Sequence, residues 1–313
     1  MTVTTSLKTL AIAGLLSASM CISANAAVVV VDSFGDSGWR SDDTRDSTGV
    51  NLVGINNTNA GKPGQVPTAG DDAAIAAQIK FIDGPAGSTY GGAVSIDGTA
   101  TGSGKSNFSV IDTSTGFAPA SDLLTPGFSA NYQFYKQHTG GGSTLAFKLG
   151  IQSTAWGTGI GQSQNGFTAA RSGESAWDLV LVHVPFVAVP DNNTWRNVSL
   201  DHDSGDWTLF RQAGNGNLSA PPANPFAQSL DLWAQDATWG PLLFGAGAKV
   251  TSVQFGLGSS QPVALGLVDY LQTSLLNGGD VIDFAAVPEP TSIVLLGMAG
   301  SMGLAAARRR ARG

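Results

Sequence analysis

The sequence predicts an all-β body, an antiparallel β-sandwich, set between an export signal and a membrane-crossing tail. Three observations predict it. Glycine is abundant, 41 residues in 313, while charged residues make up only 12%. That composition favours tight turns between short strands over charged helices. Short apolar or alternating runs recur along the chain, separated by Gly, Asn, Asp and Ser. Each end carries a separate targeting pattern, which leaves residues 27–286 as one body, long enough for a single sandwich with its own core.

The first element is the signal peptide, residues 1–26. Lys8 precedes an apolar stretch over residues 10–22, which ends in Ala24-Asn25-Ala26. A positive start, a short hydrophobic centre and small residues at the −3 and −1 places define a secretory signal, with the cut after Ala26. Cys21 is the only cysteine and lies inside this segment. The residues before it, Ala18, Ser19 and Met20, depart from a lipoprotein signal, which normally has Leu at the first of these places and a small residue at the last. The mature chain then has no thiol, hence no disulfide, no cysteine zinc site and no cysteine nucleophile.

The body opens on Val28, Val29, Val30 and Val31, a strand-like run. Residues 32–70 are rich in Asp, Asn, Ser, Thr and Gly and read as loop. Within residues 71–82 the alanines allow a short helix, and Ile79-Lys80-Phe81-Ile82 before Asp83-Gly84-Pro85 reads as a strand entering a turn. Strand patterns follow at 93–96, 108–111, 132–136 and 145–149. The last two flank a glycine-rich stretch, which predicts a hairpin. Residues 177–184 are apolar on both faces, as in a central strand. Residues 195–200 and 207–210 flank another tight loop. Over 250–257, Val253, Phe255 and Leu257 alternate with Ser252 and Gln254. Residues 264–271 and 281–284 complete the set, and the one convincing helix signal lies over 229–237. No fixed-period repeat suggests a propeller or solenoid. This layout is similar to concanavalin-like jelly rolls, in which two antiparallel sheets pack face to face. The similarity implies a single jelly-roll domain over residues 27–286.

The formal charge is −7, and the body is more acidic still, because Lys8 and four C-terminal arginines lie in the end segments. An acidic body repels phosphate backbones, so nucleic acid is not an expected partner.

Few residue patterns point to chemistry. Asp201, Asp203 and Asp206, within Asp201-His202-Asp203-Ser204-Gly205-Asp206, alternate as carboxylates in a Ca²⁺ loop do. Gly falls at the fifth place and no Glu closes the site, so a solvated Asp/Ser/Gly turn is the preferred reading. His138, His183 and His202 are scattered. His183, in an apolar run, reads as a hydrogen-bonded strand residue rather than a ligand. There is no HExxH and no GxSxG, and the glycine-rich stretch 157–161 lacks a phosphate-loop lysine. A glycosidase needs two positioned carboxyls. Glu174 is the body's only Glu, and nothing in the sequence singles out an Asp pair. The chain is therefore read as a non-enzyme without a cofactor. Seven tryptophans, Trp39, Trp156, Trp177, Trp195, Trp207, Trp233 and Trp239, could stack on sugar rings or fill a core. Trp39 and Trp156 lie in loop-like stretches and are the ligand candidates; Trp177 reads as core.

The tail reads Val287-Pro288-Glu289-Pro290, then an uncharged stretch over 291–307, then Arg308-Arg309-Arg310-Ala311-Arg312. As a helix the uncharged stretch spans about 25 Å, the short limit for a membrane crossing. The arginines stay cytoplasmic by the positive-inside rule, so the body faces outward, as the signal peptide also requires. This order of elements over 287–312 resembles the PEP-CTERM sorting signal of Gram-negative bacteria, a segment also labelled an ice-binding-protein C-terminal motif. The second label describes the tail alone and is no evidence of ice binding. The resemblance implies recognition of Pro288, Glu289 and Pro290 by exosortase, a membrane protease, with Arg308, Arg309, Arg310 and Arg312 as the cytoplasmic stop. It implies anchoring in the inner membrane before processing, then release to the surface or beyond, in biofilm- and exopolysaccharide-forming species. The expected role is a structural or adhesive surface component, with a polysaccharide-binding module as the alternative and a polysaccharide-active hydrolase the less favoured one.

Overall fold

The computed structural model describes residues 26–42, 44, 69–98, 106–112, 114–137, 142–143, 145–153, 179–187, 193–211, 227–257 and 265–285. These form two large sheets packed face to face. The first sheet holds seven strands: β1 (Val28–Val31), β3 (Ile79–Asp83), β4 (Gly92–Asp97), β7 (Ser129–Gln137), β12 (Trp195–Asp201), β15 (Leu265–Thr273) and β16 (Val281–Phe284). The second also holds seven: β2 (Arg40–Asp42), β5 (Ser106–Ile111), β6 (Ala118–Pro119), β9 (Ala146–Gln152), β10 (Leu179–His183), β13 (Trp207–Arg211) and β14 (Lys249–Leu257). A short pair joins β8 (Gly142–Ser143) to β11 (Phe186–Val187). Pairing is antiparallel except between β1 and β16, which run parallel. The two-sheet, β-rich architecture is the one the short alternating runs predict.

The predicted hairpin between residues 132–136 and 145–149 does not form. β7 lies in the first sheet beside β12 and β15, whereas β9 lies in the second beside β10 and β14. The two strands meet across the core instead. Tyr132 of β7 stacks on Phe147 of β9 at 5.5 Å and meets Phe255 of β14 edge-on at 5.2 Å. A glycine-rich connection permits a change of sheet as readily as a two-strand turn, and burying three large rings between the sheets favours the former. β12 and β13, joined by residues 202–206, likewise sit in opposite sheets.

The core lies between the sheets. From β14 it takes Val253, Phe255 and Leu257, all fully buried. Ser252 and Gln254 alternate with them as predicted, yet they are buried too, and Gln254 Nε2 donates to Ser252 Oγ at 2.7 Å. Trp39, expected on a loop and offered there as a sugar-stacking residue, is 1% exposed. Its ring stacks on Phe108 and meets Phe284 edge-on, both at 5.0 Å, so it bridges the two sheets. The Asp/Gly-rich stretch around it includes β2, which the sequence reads as loop. Core packing outweighs local composition there.

Helices are short. α1 (Ala69–Gln78) runs directly into β3, so the alanine-rich stretch and the strand after it both form as read. α2 (Leu230–Gln235) falls on the predicted helix, and α3 (Trp239–Phe244) follows it. A Cβ on Gly240 would stand 2.2 Å from the Ala234 carbonyl oxygen, so only glycine lets the two helices turn this tightly. Ser229 caps α2, its Oγ accepting from Leu232 N at 3.3 Å. Ser229→Ala is expected to lower stability by about 1 kcal/mol in a denaturant melt, the ordinary worth of such a cap. Among the described residues no helix is long and apolar enough to cross a membrane. The predicted span 291–307 lies outside the described residues.

Candidate functional site: a carboxyl pair beneath tyrosines on the first sheet

The outer face of the first sheet holds an unusual polar arrangement, and it starts from a bulge. β15 pairs with β7 in one register up to Val268–Phe134 and in another from Leu271–Tyr132. Asp269 and Tyr270 therefore stand opposite the single residue Gln133, and both lie on the outer face. On its other edge β15 changes neighbour at the same place. It pairs with β4 up to Val268, then with β16 from Tyr270, which faces Asp283. Asp269 and Asp283 thus come from adjacent strands onto one face.

The β3–β4 connection, residues 84–91, folds back over this point. Thr89 N and Tyr90 N both donate to Asp269 Oδ2, the latter at 3.2 Å. Thr89 N and Oγ1 also donate to Gln133 Oε1, at 3.1 and 3.2 Å. Trp195 Nε1 donates to Pro85 O at 3.0 Å and closes the far side. Gly87 takes φ +98°, and a Cβ there would meet the Trp195 ring at 3.2 Å, so the loop needs glycine at its closest approach.

The loop satisfies one oxygen of Asp269 and leaves the other unpartnered. Asp269 is fully buried and Asp283 8% exposed, and Oδ1 of each has no hydrogen-bond partner. Burial pushes the Asp269 carboxyl above the usual carboxylate range, against the pull of the Thr89 and Tyr90 amides. Burial, and after it the nearby Asp269 charge, raises Asp283 to about 6. Over the pair sit Tyr90 and Tyr270, ring centroids 5.5 Å apart and edge to face, with Tyr90 40% exposed. Along the same face Trp195 and Tyr135 make a second aromatic pair, at 5.3 Å. Partly exposed rings suit a flat apolar surface, as a sugar face presents.

The residues singled out by sequence lie elsewhere. Asp201, Asp203 and Asp206 occupy the loop between β12 and β13. Asp201 Oδ1 accepts from Asp203 N at 3.1 Å and from Ser204 Oγ at 2.8 Å. The Ser204 hydroxyl, foremost, holds the Asp201 carboxyl below its ordinary range. The Asp201 carboxylate thus closes its own turn, and His202 Nε2 stands 3.4 Å from Asp203 Oδ1. Among the described residues no group of three or more His, Cys, Asp or Glu is placed to hold a metal ion.

His183, read as a hydrogen-bonded strand residue, is buried with Nδ1 unpartnered and its ring 5.5 Å from that of Trp207. Burial lowers its pKa to about 4. Trp207, Trp233 and Trp239 are core residues, and Trp195 is the partly exposed one among the described tryptophans. Ala26 is described and exposed. Ala24, His138, Trp156, Glu174, Trp177, the stretch 157–161, Pro288, Glu289, Pro290, Arg308, Arg309, Arg310 and Arg312 lie outside the described residues.

Sequence reasoning missed Asp269 and Asp283, and a signal for both was present. Each is a lone carboxyl inside an apolar strand run, Leu267-Val268-Asp269-Tyr270-Leu271 and Val281-Ile282-Asp283-Phe284. An acidic residue in such a run is rarely buried without a task or a partner.

No curated protein matches the chain. Residues 286–310 match the family described as the PEP-CTERM protein-sorting motif, which covers the tail and not the sandwich. That motif implies export and sorting to the surface through exosortase, and the match identifies this chain as a bearer of the PEP-CTERM protein-sorting motif.

Proposed function

We propose that the sandwich is an adhesive or structural component of the bacterial surface and that it holds extracellular polysaccharide by the outer face of its first sheet. The observation that carries this reading is the half-exposed Tyr90–Tyr270 pair set over the Asp269 and Asp283 carboxyls. The rings offer flat apolar area to sugar C–H groups, and the buried Asp269 carboxyl fixes the loop that presents Tyr90. The sorting tail agrees with this role, since it sends the domain to the compartment where such polymers lie. In this reading the chain is inserted through its 291–307 segment before exosortase acts, and the domain works by binding rather than by hydrolysis.

The test is affinity electrophoresis of residues 27–286 through gels containing glucans, galactans, xylans or the host's exopolysaccharide. Retardation is expected on at least one polymer. Tyr90→Ala and Tyr270→Ala should each weaken it about tenfold, a loss of about 1.4 kcal/mol. Retardation unchanged in both variants would place binding elsewhere. Release of reducing ends, abolished by Asp283→Asn, would make the domain a hydrolase.

A further inference from the structure

The first strand is tied down at each end. Among the described strands β1 is an outermost strand of the first sheet and pairs with β16 alone. Val28 and Val30 are 50% and 52% exposed, and only Val31 is fully buried. Apolar burial therefore anchors the far end of β1 and little else. At the near end, Ala27 O accepts from Val281 N at 2.9 Å, and Ala27 N donates to Asp280 Oδ1 at 2.9 Å.

Asp280 is carefully placed to receive that nitrogen. It follows a tight turn in which Asn277, Gly278 and Gly279 take φ of 47°, 69° and 94°. Gly279 N donates to Leu276 O at 2.9 Å, and Gln272 Nε2 donates to Gly279 O at 3.0 Å, which ties the turn to β15. A backbone amide in this place needs only a neutral acceptor. A full carboxylate there matches a positive charge.

We propose that removal of the signal peptide after Ala26 turns the Ala27 nitrogen into an α-ammonium group and that Asp280 is its receptor site, clamping β1 to β16. The inference rests on cleavage at that bond. Hydrolysis adds the water oxygen to the Ala26 carbonyl carbon and breaks the Ala26–Ala27 C–N bond. The released peptide leaves as a carboxylate, and the Ala27 nitrogen keeps the electron pair and gains protons to become NH₃⁺. The neutral N–H···O contact becomes an ion pair without moving either residue. Because the pair faces solvent, its effect falls on the local order of β1 more than on global stability.

The experiment uses the full chain exported by a Gram-negative host, with the mature N-terminus first read by mass spectrometry. An N-terminus other than Ala27 overturns the cleavage reading, and the inference with it. With Ala27 confirmed, the α-amine is titrated by its pH-dependent reaction with an amine reagent. Its pKa is expected at least about half a unit above the ordinary 7.7–8.0 and within that range in Asp280→Asn. Hydrogen exchange at the Val29 and Val31 amides should quicken several-fold in the same variant. An ordinary α-amine that Asp280→Asn leaves unchanged overturns the proposal while the cleavage site stands.

Discussion

Substitution of Arg308, Arg309, Arg310 and Arg312 by Ser is expected to abolish C-terminal processing almost completely. The uncharged stretch before them is near the lower length limit for a membrane helix, so its hold depends on the cations that follow. Drawing four guanidinium groups into the bilayer costs several kcal/mol, and without them the chain can pass through. The variant should appear uncut and displaced from the membrane fraction. Glu289→Ala separates recognition from anchoring. Pro288 and Pro290 flank Glu289, and prolines in this pattern disfavour a helix and favour the extended backbone that proteases read. That variant should stay in the membrane and remain unprocessed. Cell fractionation with mass measurement of the C-terminus, in hosts with and without exosortase, reads both. Equal processing in the two hosts would reduce the segment to an anchor.

Asp283→Asn should raise the stability of the mature domain at pH 7 by up to about 3 kcal/mol. The folded carboxyl titrates at about 6, against an ordinary value of 3.8. Between these values the native state holds a proton that the unfolded chain has released, so stability falls as pH rises through the window. Above it the native state carries the full penalty, about 1.4 kcal/mol for each unit of separation. An amide of the same shape carries no charge to bury. The melting temperature at pH 7 should climb by several degrees, and the gain should fade as the pH approaches 4. His183 tilts the profile the other way. Its folded value of about 4 lies below the ordinary 6.5, so protonation of the unfolded chain erodes stability as pH falls through that interval. The difference between variant and wild type isolates the Asp283 contribution from this opposing slope. An equal or lower melting temperature for Asp283→Asn at pH 7 would show that a partner compensates the carboxylate.

The sequence by itself determined the features that depend on neighbours along the chain. The tail is one: a Pro-Glu-Pro triplet, an apolar stretch and an arginine run act in fixed order, and the family match falls on the same residues. The strands are another. Residues 108–111 and 250–257 announce themselves by alternation, and each forms a strand. The helix of residues 230–235 falls within the one helix signal, over 229–237.

Tertiary structure decided which strand lies beside which. Alternation records that a strand has an inner face but not which sheet it joins, so the stretch between β7 and β9 read as a hairpin although the two strands face each other across the core. Trp39 shows the same limit: its neighbours in sequence are loop formers, and its neighbours in space are Phe108 and Phe284. The carboxyl pair is the clearest case. Asp269 and Asp283 are brought together by one bulge in β15 and by a change of partner strand at that bulge. Asp269 is buried beneath a loop some 180 residues away in sequence, and that burial raises its pKa. Burial and bulge register are properties of the assembled sheet, set by long-range packing that no window of sequence contains.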